Sequence, residues 1–410
     1  MLPHLGCTHA LLLQGPAGPF FRRFAEELRA AGISVTKVNF HAGDRLFFPG
    51  PEAIDYRGSL EGWPEFAREL ITSRGIDAVF VFGDCRPYHR AAATVARELG
   101  AAVWAFEEGY LRPDHITLER DGVNGNSAAP RDPELYLRLH SPGGGSPPVE
   151  ATGPTFGLSA WYSTLNALAF TLLRNQYPEY THHRPLEAHK HTFWWVRGAA
   201  RKLVFSVVER KLTEKLTGEI SGRYFIVPLQ VHCDFQLAHS SYPDVITFIE
   251  EVVSTFAEHG RSKDHILFKH HPMDRPFREY GALLRRLARR HDLGDRLIYA
   301  HDLHLPTLLK HAKGTITINS TVGLSSLHHG TPVKVMGTAV YDLPGLTHQG
   351  DLADFLRSPG FVDTHLYEAF RAWLERTNQA NGNFYRRLPG QHFGTGVRWF
   401  GTDDADPTHR

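Results

Sequence analysis

Cysteine is scarce in this chain. The three present, Cys7, Cys85 and Cys233, form no CxxC pair, which excludes a disulfide framework and a thiolate zinc site and suits a reducing compartment. Charge imbalance is missing too: Lys and Arg number 45 against 44 Asp and Glu, a net +1, which gives no support for nucleic acid as a partner. The amino end, Met1-Leu-Pro-His-Leu-Gly6, has neither a basic n-region nor a long apolar run, so no signal peptide is expected. There is no GxGxxG, so a dinucleotide reading is poor. No DxD sits at a strand end, since Asp404 and Asp406 lie in the tail, and nothing calls for a metal or other cofactor. Histidine, by contrast, is abundant at 26. Its densest group, His182, His183, His189 and His191, straddles Arg184-Pro185 with no repeated Cys or acidic partner, which does not suit a metal held on one face.

What is present is an alternation of short apolar runs with helical patterns. Ala10–Gln14, Ile33–Val38, Asp77–Phe82 and Ala101–Phe106 read as strands, with helices at Phe20–Ala31 and Tyr88–Leu99 between them. Gly15 and Gly18 in the first turn suit either a tight turn or a close ligand approach. A second series begins at Arg223–Val227 and continues through Ile266–Lys269, Arg296–Tyr299, Gly314–Ile318 and Pro332–Met336. Strands alternating with helices predict parallel α/β sheets. At 410 residues the chain is long enough for two such domains of roughly 200 residues each. Residues 121–157, rich in Gly, Pro, Asn and Ser, read as an irregular connection.

Between the two series lies a helical segment. Leu158 to Leu173 is apolar at helical spacing and carries no charge from Glu150 to Arg174, but Ser159, Ser163, Thr164, Asn166 and Thr171 interrupt it. A bilayer span needs ~20 predominantly apolar residues, so this is not one. The next pattern, Phe193 to Leu216, opens on Trp194 and Trp195 and continues with Arg197, Arg201, Lys202, Arg210, Lys211 and Lys215. Tryptophan beside basic residues suits either a helix lying in a membrane interface or a core-facing helix with a solvated basic face.

Three features carry chemistry. Ile266–Lys269 runs into His270, His271 and Pro272, so Lys269 and His271 sit where a parallel strand delivers its carboxyl end, the usual ligand edge of an α/β sheet. Asn319-Ser-Thr-Val-Gly323 opens a helix, and Ser320, Thr321 and the backbone N–H groups there suit phosphate oxygens or ordinary capping. Glu108 and Asp234 each stand at a strand mouth in a different half. Two carboxylates on opposite cleft walls can divide nucleophile and acid/base work.

Phe106-Glu-Glu-Gly-Tyr-Leu-Arg-Pro113, Ile116–Glu119, Gly122–Asn124, Pro228-Leu-Gln-Val-His-Cys-Asp234 (a QxxxD pattern), Lys269–Pro272 and Asn319–Gly323 together resemble the capsule polysaccharide biosynthesis family. The length is similar to its single-module β-Kdo transferase type. The resemblance implies a GT-B-like α/β fold with two Rossmann-like domains facing across a cleft. The expected divisions are an acceptor-side domain at 1–150, helical segment 151–220, donor domain 221–360, and C-terminal helices 361–410 packing back on the first domain. It implies transfer of Kdo from CMP-Kdo to a (lyso)phosphatidylglycerol-type lipid, with retention. The setting would be the inner face of the inner membrane, alongside other capsule synthesis and ABC-export proteins. Carried onto this sequence, Asp234 would be the nucleophile, positioned by Gln230, and Glu108 the acid/base, with Glu107 and Arg112 supporting the acceptor. Lys269, His271, Ser320 and Thr321 would hold the CMP phosphate, and Trp194, Trp195, Arg197, Arg201 and Lys202 would dock on anionic lipid. A sialyl-type CMP-sugar transferase and a non-catalytic export scaffold stand as alternatives.

Overall fold

A computed structural model describes residues 5–140, 148–182, 197–198, 201–202, 204–205, 208–232, 234–275 and 277–400. In chain order the strands are β1 (His9–Leu12), β2 (Ser34–Asn39), β3 (Ala53–Asp55), β4 (Ala78–Phe82), β5 (Ala102–Glu108), β6 (His115–Arg120), β7 (Tyr224–Pro228), β8 (His265–Lys269), β9 (Leu297–Ala300), β10 (Gly314–Thr317), β11 (Val333–Val335) and β12 (Gln379–Asn381). The chain divides into two compact units, one of residues 1–128, 142–191 and 372–410, the other of 129–141 and 192–371.

The first unit holds a seven-stranded sheet in the order β12-β6-β5-β4-β1-β2-β3. From β3 to β5 the pairings are parallel, whereas β6 runs antiparallel to both β5 and β12. Residues of β4 such as Val79, Phe80 and Val81 are fully buried, as strands covered on both faces by helices must be. The helix Phe20–Ala30 turns Phe20, Phe21, Phe24, Ala25 and Leu28 inward, one stripe at helical spacing. Trp63–Arg74 starts with a proline in its first turn and stops at Gly75, whose φ of 60° is the left-handed cap conformation. The chain's last stretch completes this core. Phe384 packs edge-on to Phe20 with ring centres 4.8 Å apart, and Trp399 lies 5.6 Å from Phe24.

The second unit holds five parallel strands in the order β11-β10-β7-β8-β9. Phe248, Ile249, Val252, Val253 and Phe256 of the helix Val245–His259 cover Phe225, Val227, Ile266 and Phe268 of the sheet. Asp244 caps that helix by accepting from the Thr247 N–H at 2.8 Å. Two Rossmann-like α/β units are therefore present, as the sequence predicts.

Some elements differ from expectation. Residues 121–157 are not wholly irregular: Pro133–Leu139 is a helix whose Asp132 cap accepts from the Glu134 N–H, a short element hidden by its Pro-rich surroundings. A helical pattern over about Pro276 to His291 in the sequence becomes a helix from Gly281 to Arg290, preceded by a turn at 272–275. The pattern read over Phe193–Leu216 contains the helix Arg210–Thr217. Trp194, Trp195, His183, His189 and His191 lie outside the described residues.

Candidate functional site

In the second unit, β7, β8 and β9 are laid down in one direction and β10 then returns to the other side of β7. The order reverses between β7 and β10, and at such a reversal the loops after the strands part and leave a crevice for ligand. Gln230 follows β7 and Asn319 follows β10. The Gln230 Nε2 donates to Asn319 Oδ1 at 3.0 Å, bridging the reversal. The same amide donates to Asp234 Oδ2 at 3.2 Å. The other Asp234 oxygen accepts from the Gln236 N–H at 3.0 Å, so both carboxylate oxygens are held. Asn319 in turn donates to the Gln236 carbonyl at 2.7 Å. Gln230 is buried, and its Oε1 is the one polar atom of the pair with no partner.

Around this core lie the other predicted residues. The Ser320 hydroxyl accepts from the Val322 N–H at 3.3 Å, and its carbonyl accepts from the buried Tyr341 hydroxyl at 2.5 Å. Gly323 follows because a Cβ there would lie 2.2 Å from the Tyr341 oxygen. Thr321 opens the helix Val322–His328 without a side-chain cap bond. His271 accepts at Nδ1 from the Met273 N–H at 3.1 Å, which fixes its ring. Lys269 is turned away from solvent. It is 7 % exposed, its Nζ points to the His301 carbonyl at 3.5 Å, and burial lowers its pKa while Asp302 and Glu209 oppose the shift.

The first unit supplies its carboxylates from the end of β5. Glu108 accepts from Arg112 at 3.2 Å and from the Tyr385 hydroxyl at 3.5 Å. Glu107 accepts from the Glu108 N–H at 2.9 Å. The glycine after them is obligatory: a Cβ on Gly109 would lie 2.1 Å from the His115 carbonyl oxygen, where the chain folds back into β6. Gln379 of β12 then accepts from the Tyr110 N–H at 2.8 Å and pins the turn. Burial, followed by the Glu108 charge, pushes the Tyr385 hydroxyl up to about 12. It stays a neutral donor to Glu108 through the physiological range.

Gly15 and Gly18 are accounted for by packing. A Cβ on Gly15 would meet the Phe21 ring at 2.9 Å, and Gly18, at φ 129°, would meet Tyr162 at the same distance. Beside them the buried Gln14 and His41 join the partly buried Tyr180, with the His41 Nδ1 capping the helix Ala42–Phe47. Burial lowers the His41 pKa, so the ring is neutral and can accept there. Among the expected docking residues, Arg197 and Lys202 are exposed. Arg201 faces inward, donating to the Arg275 carbonyl at 2.7 Å and pairing with Glu279.

A family model described as "Capsule polysaccharide biosynthesis protein" matches residues 77–385, a span that includes each motif above. The chain belongs to the capsule polysaccharide biosynthesis family. Within the family it is 40 % identical to the capsule polysaccharide export protein KpsS of Escherichia coli over 380 residues, covering 92 % of this chain and 96 % of that one. It is 42 % identical over 386 residues to the capsule polysaccharide modification protein LipB of Neisseria meningitidis, covering 92 % of each. Among solved structures, the Thermosulfurimonas dismutans KpsC β-Kdo 2,7 transferase aligns over 91 % of this chain and 92 % of its own at 14 % identity and TM-score 0.43.

Sequence reasoning missed five residues in and around this family's motifs. Tyr385 and Gln379 lie more than 260 residues from the turn they contact. Tyr341 had no local signal. His232 sits inside a quoted motif and Asp274 two residues past another, yet only the structure joins them, with the His232 Nδ1 2.5 Å from Asp274 Oδ1.

Proposed function

We propose that this chain is a glycosyltransferase that moves Kdo from CMP-Kdo to a (lyso)phosphatidylglycerol-type lipid and so starts the β-Kdo linker of a capsule. The observation that carries the reading is the Gln230–Asp234–Asn319 network at the strand-order reversal of the second sheet. A carboxylate held at both oxygens is oriented for attack and cannot swing away. In this reading Asp234 attacks the anomeric carbon as CMP departs, giving a covalent Kdo–Asp234 ester. Glu108 then takes the acceptor hydroxyl proton while that oxygen displaces Asp234. Two inversions give retention. The phosphate would lie against His271, Ser320 and Thr321, where donors and a cation stabilise the charge that builds on departure. Lys269, buried beneath, would add positive potential, and Arg112 with Glu107 would steady Glu108. The donor is a substrate, and the scheme needs no metal.

The acceptor places the reaction at the cytoplasmic face of the inner membrane, next to the capsule's other synthesis and export proteins. No helix among the described residues is long and apolar enough to cross a membrane, which fits attachment from one side. The test is a reaction of purified protein, CMP-Kdo and a fluorescent lysophosphatidylglycerol, read by product mass. One added Kdo is expected, and Asp234→Ala should cut the rate by orders of magnitude at an unchanged melting temperature. Product from CMP-sialic acid alone would move the assignment to the sialyl-type alternative. Equal product from Asp234→Ala would remove the nucleophile assignment, and no product from any donor would favour the scaffold.

A further inference from the structure

His232 and Asp274 form a pair that the scheme above leaves unused. Asp274 is fully buried, at 0 % exposed. One of its oxygens accepts from His232 Nδ1 at 2.5 Å and the other from the His232 backbone N–H at 3.2 Å. The backbone of Asp274 belongs to the turn after β8, where its N–H donates to the His271 carbonyl at 3.0 Å. The carboxylate thus ties the loop bearing Asp234 to the loop bearing His271. A carboxylate that accepts from the Nδ1–H fixes the orientation of the ring. The opposite nitrogen, Nε2, makes no hydrogen bond among the described residues and is not enclosed, the side chain being 24 % exposed. His232 and Asp234 are the second and fourth residues of one turn, closed by the Asp234 N–H on the Val231 carbonyl at 2.9 Å. A clasp alone would need only a donor toward Asp274. An oriented ring adds a second polar atom, on a residue two positions before Asp234 and partly open to solvent.

We propose that His232 is a phosphate-binding group of this site. Its Nε2–H donates to a non-bridging oxygen of the departing phosphate, and Asp274 is the positioning residue behind it. This rests on the CMP-sugar reading above. No bond is made or broken at His232. Its contribution is a charge-assisted hydrogen bond, stronger than a neutral one and strengthening as negative charge gathers on the phosphate.

The test is a calorimetric titration of the full chain with CMP and, separately, with cytidine. His232→Asn keeps a donor near the Nδ1 position and so keeps the tie to Asp274, but removes Nε2. It should weaken CMP about ten- to a hundredfold, the worth of one hydrogen bond to a charged group, and leave cytidine unchanged. His232→Gln, whose amide nitrogen reaches near the Nε2 position, should recover part of the loss. Melting temperatures of both variants show whether the loops stay tied. Unchanged CMP affinity in His232→Asn would overturn the proposal and leave a clasp only. An equal loss for CMP and cytidine would overturn it as well, since that reports a displaced loop. If the wild-type chain binds no CMP, the donor reading fails and this assignment goes with it.

Discussion

At the scale of single residues, the groups most removed from water carry the clearest consequences. Glu119 is buried under Tyr110 and Ser127, both of which donate to it. Desolvation raises its pKa to about 7, against those hydrogen bonds. An acid whose folded pKa lies above its unfolded value binds its proton more tightly when folded. Stability from this site is therefore full below about pH 4.5 and is lost as pH rises through about 7. Glu119→Gln should remove that dependence. Chemical denaturation at pH 5 and pH 8 should show the variant gaining relative to wild type at the higher pH, and a constant difference would contradict the assignment. Glu108, Gln230, Asp234 and His271 were legible because each stands just past an apolar run that marks a strand end. Asp274 was not, since nothing local separates a buried carboxylate from a solvated one in His271-Pro-Met-Asp274. Its meaning comes from a residue 42 positions earlier.

Among elements, the helix Phe156–Leu172 stands out by what it leaves uncovered. One side packs on the helix Ala42–Phe47, where a Cβ on Gly43 would meet the Asn166 side chain. The other exposes Phe156 (67 %), Trp161 (57 %), Leu168 (45 %) and Leu172 (72 %). No charge interrupts the sequence from Ala151 to Leu173. The element is too short to span and too apolar to sit comfortably in water, which matches an interfacial helix. It is a better candidate for lipid contact than Arg201, which is turned inward. Trp161→Glu with Leu168→Glu should lower co-sedimentation with anionic vesicles severalfold and leave activity on a short-chain, water-soluble acceptor intact. Unchanged co-sedimentation would place the contact elsewhere. Periodicity revealed the helix but not its outward face, because apolar residues occur nearly all round it. The strand β6 escaped notice for a different reason. It pairs locally with β5, but its outer partner, β12, arrives some 260 residues later, so half of its pairing has no local trace.

For the whole molecule, the division into two α/β units could be read from two series of strands. The family resemblance implied a C-terminal stretch packing back on the first, but the strand β12 that this stretch adds could not be read. The first unit's sheet and aromatic core are finished by the last stretch of chain. β12 extends the sheet, Phe384 and Trp399 enter the Phe20–Phe24–Phe106 cluster, and Glu27 accepts from Thr395 and the Trp399 indole N–H. Phe384→Ala removes a buried ring held by Phe20, Phe82 and Phe106. It should cost about 3–5 kcal/mol, seen as a lower denaturant midpoint. A loss under about 1 kcal/mol would show that the stretch is dispensable.

That closure by the last residues also sets an order of events on the ribosome. Every residue of the second unit has been synthesised by position 371, whereas the first still awaits 372–410. At ~5–20 residues per second this is a gap of a few seconds, during which Glu108 lacks Tyr385 and its turn lacks Gln379. A chain cut short before Gln379 therefore carries every residue of the second unit, but a first unit whose turn after β5 is unpinned.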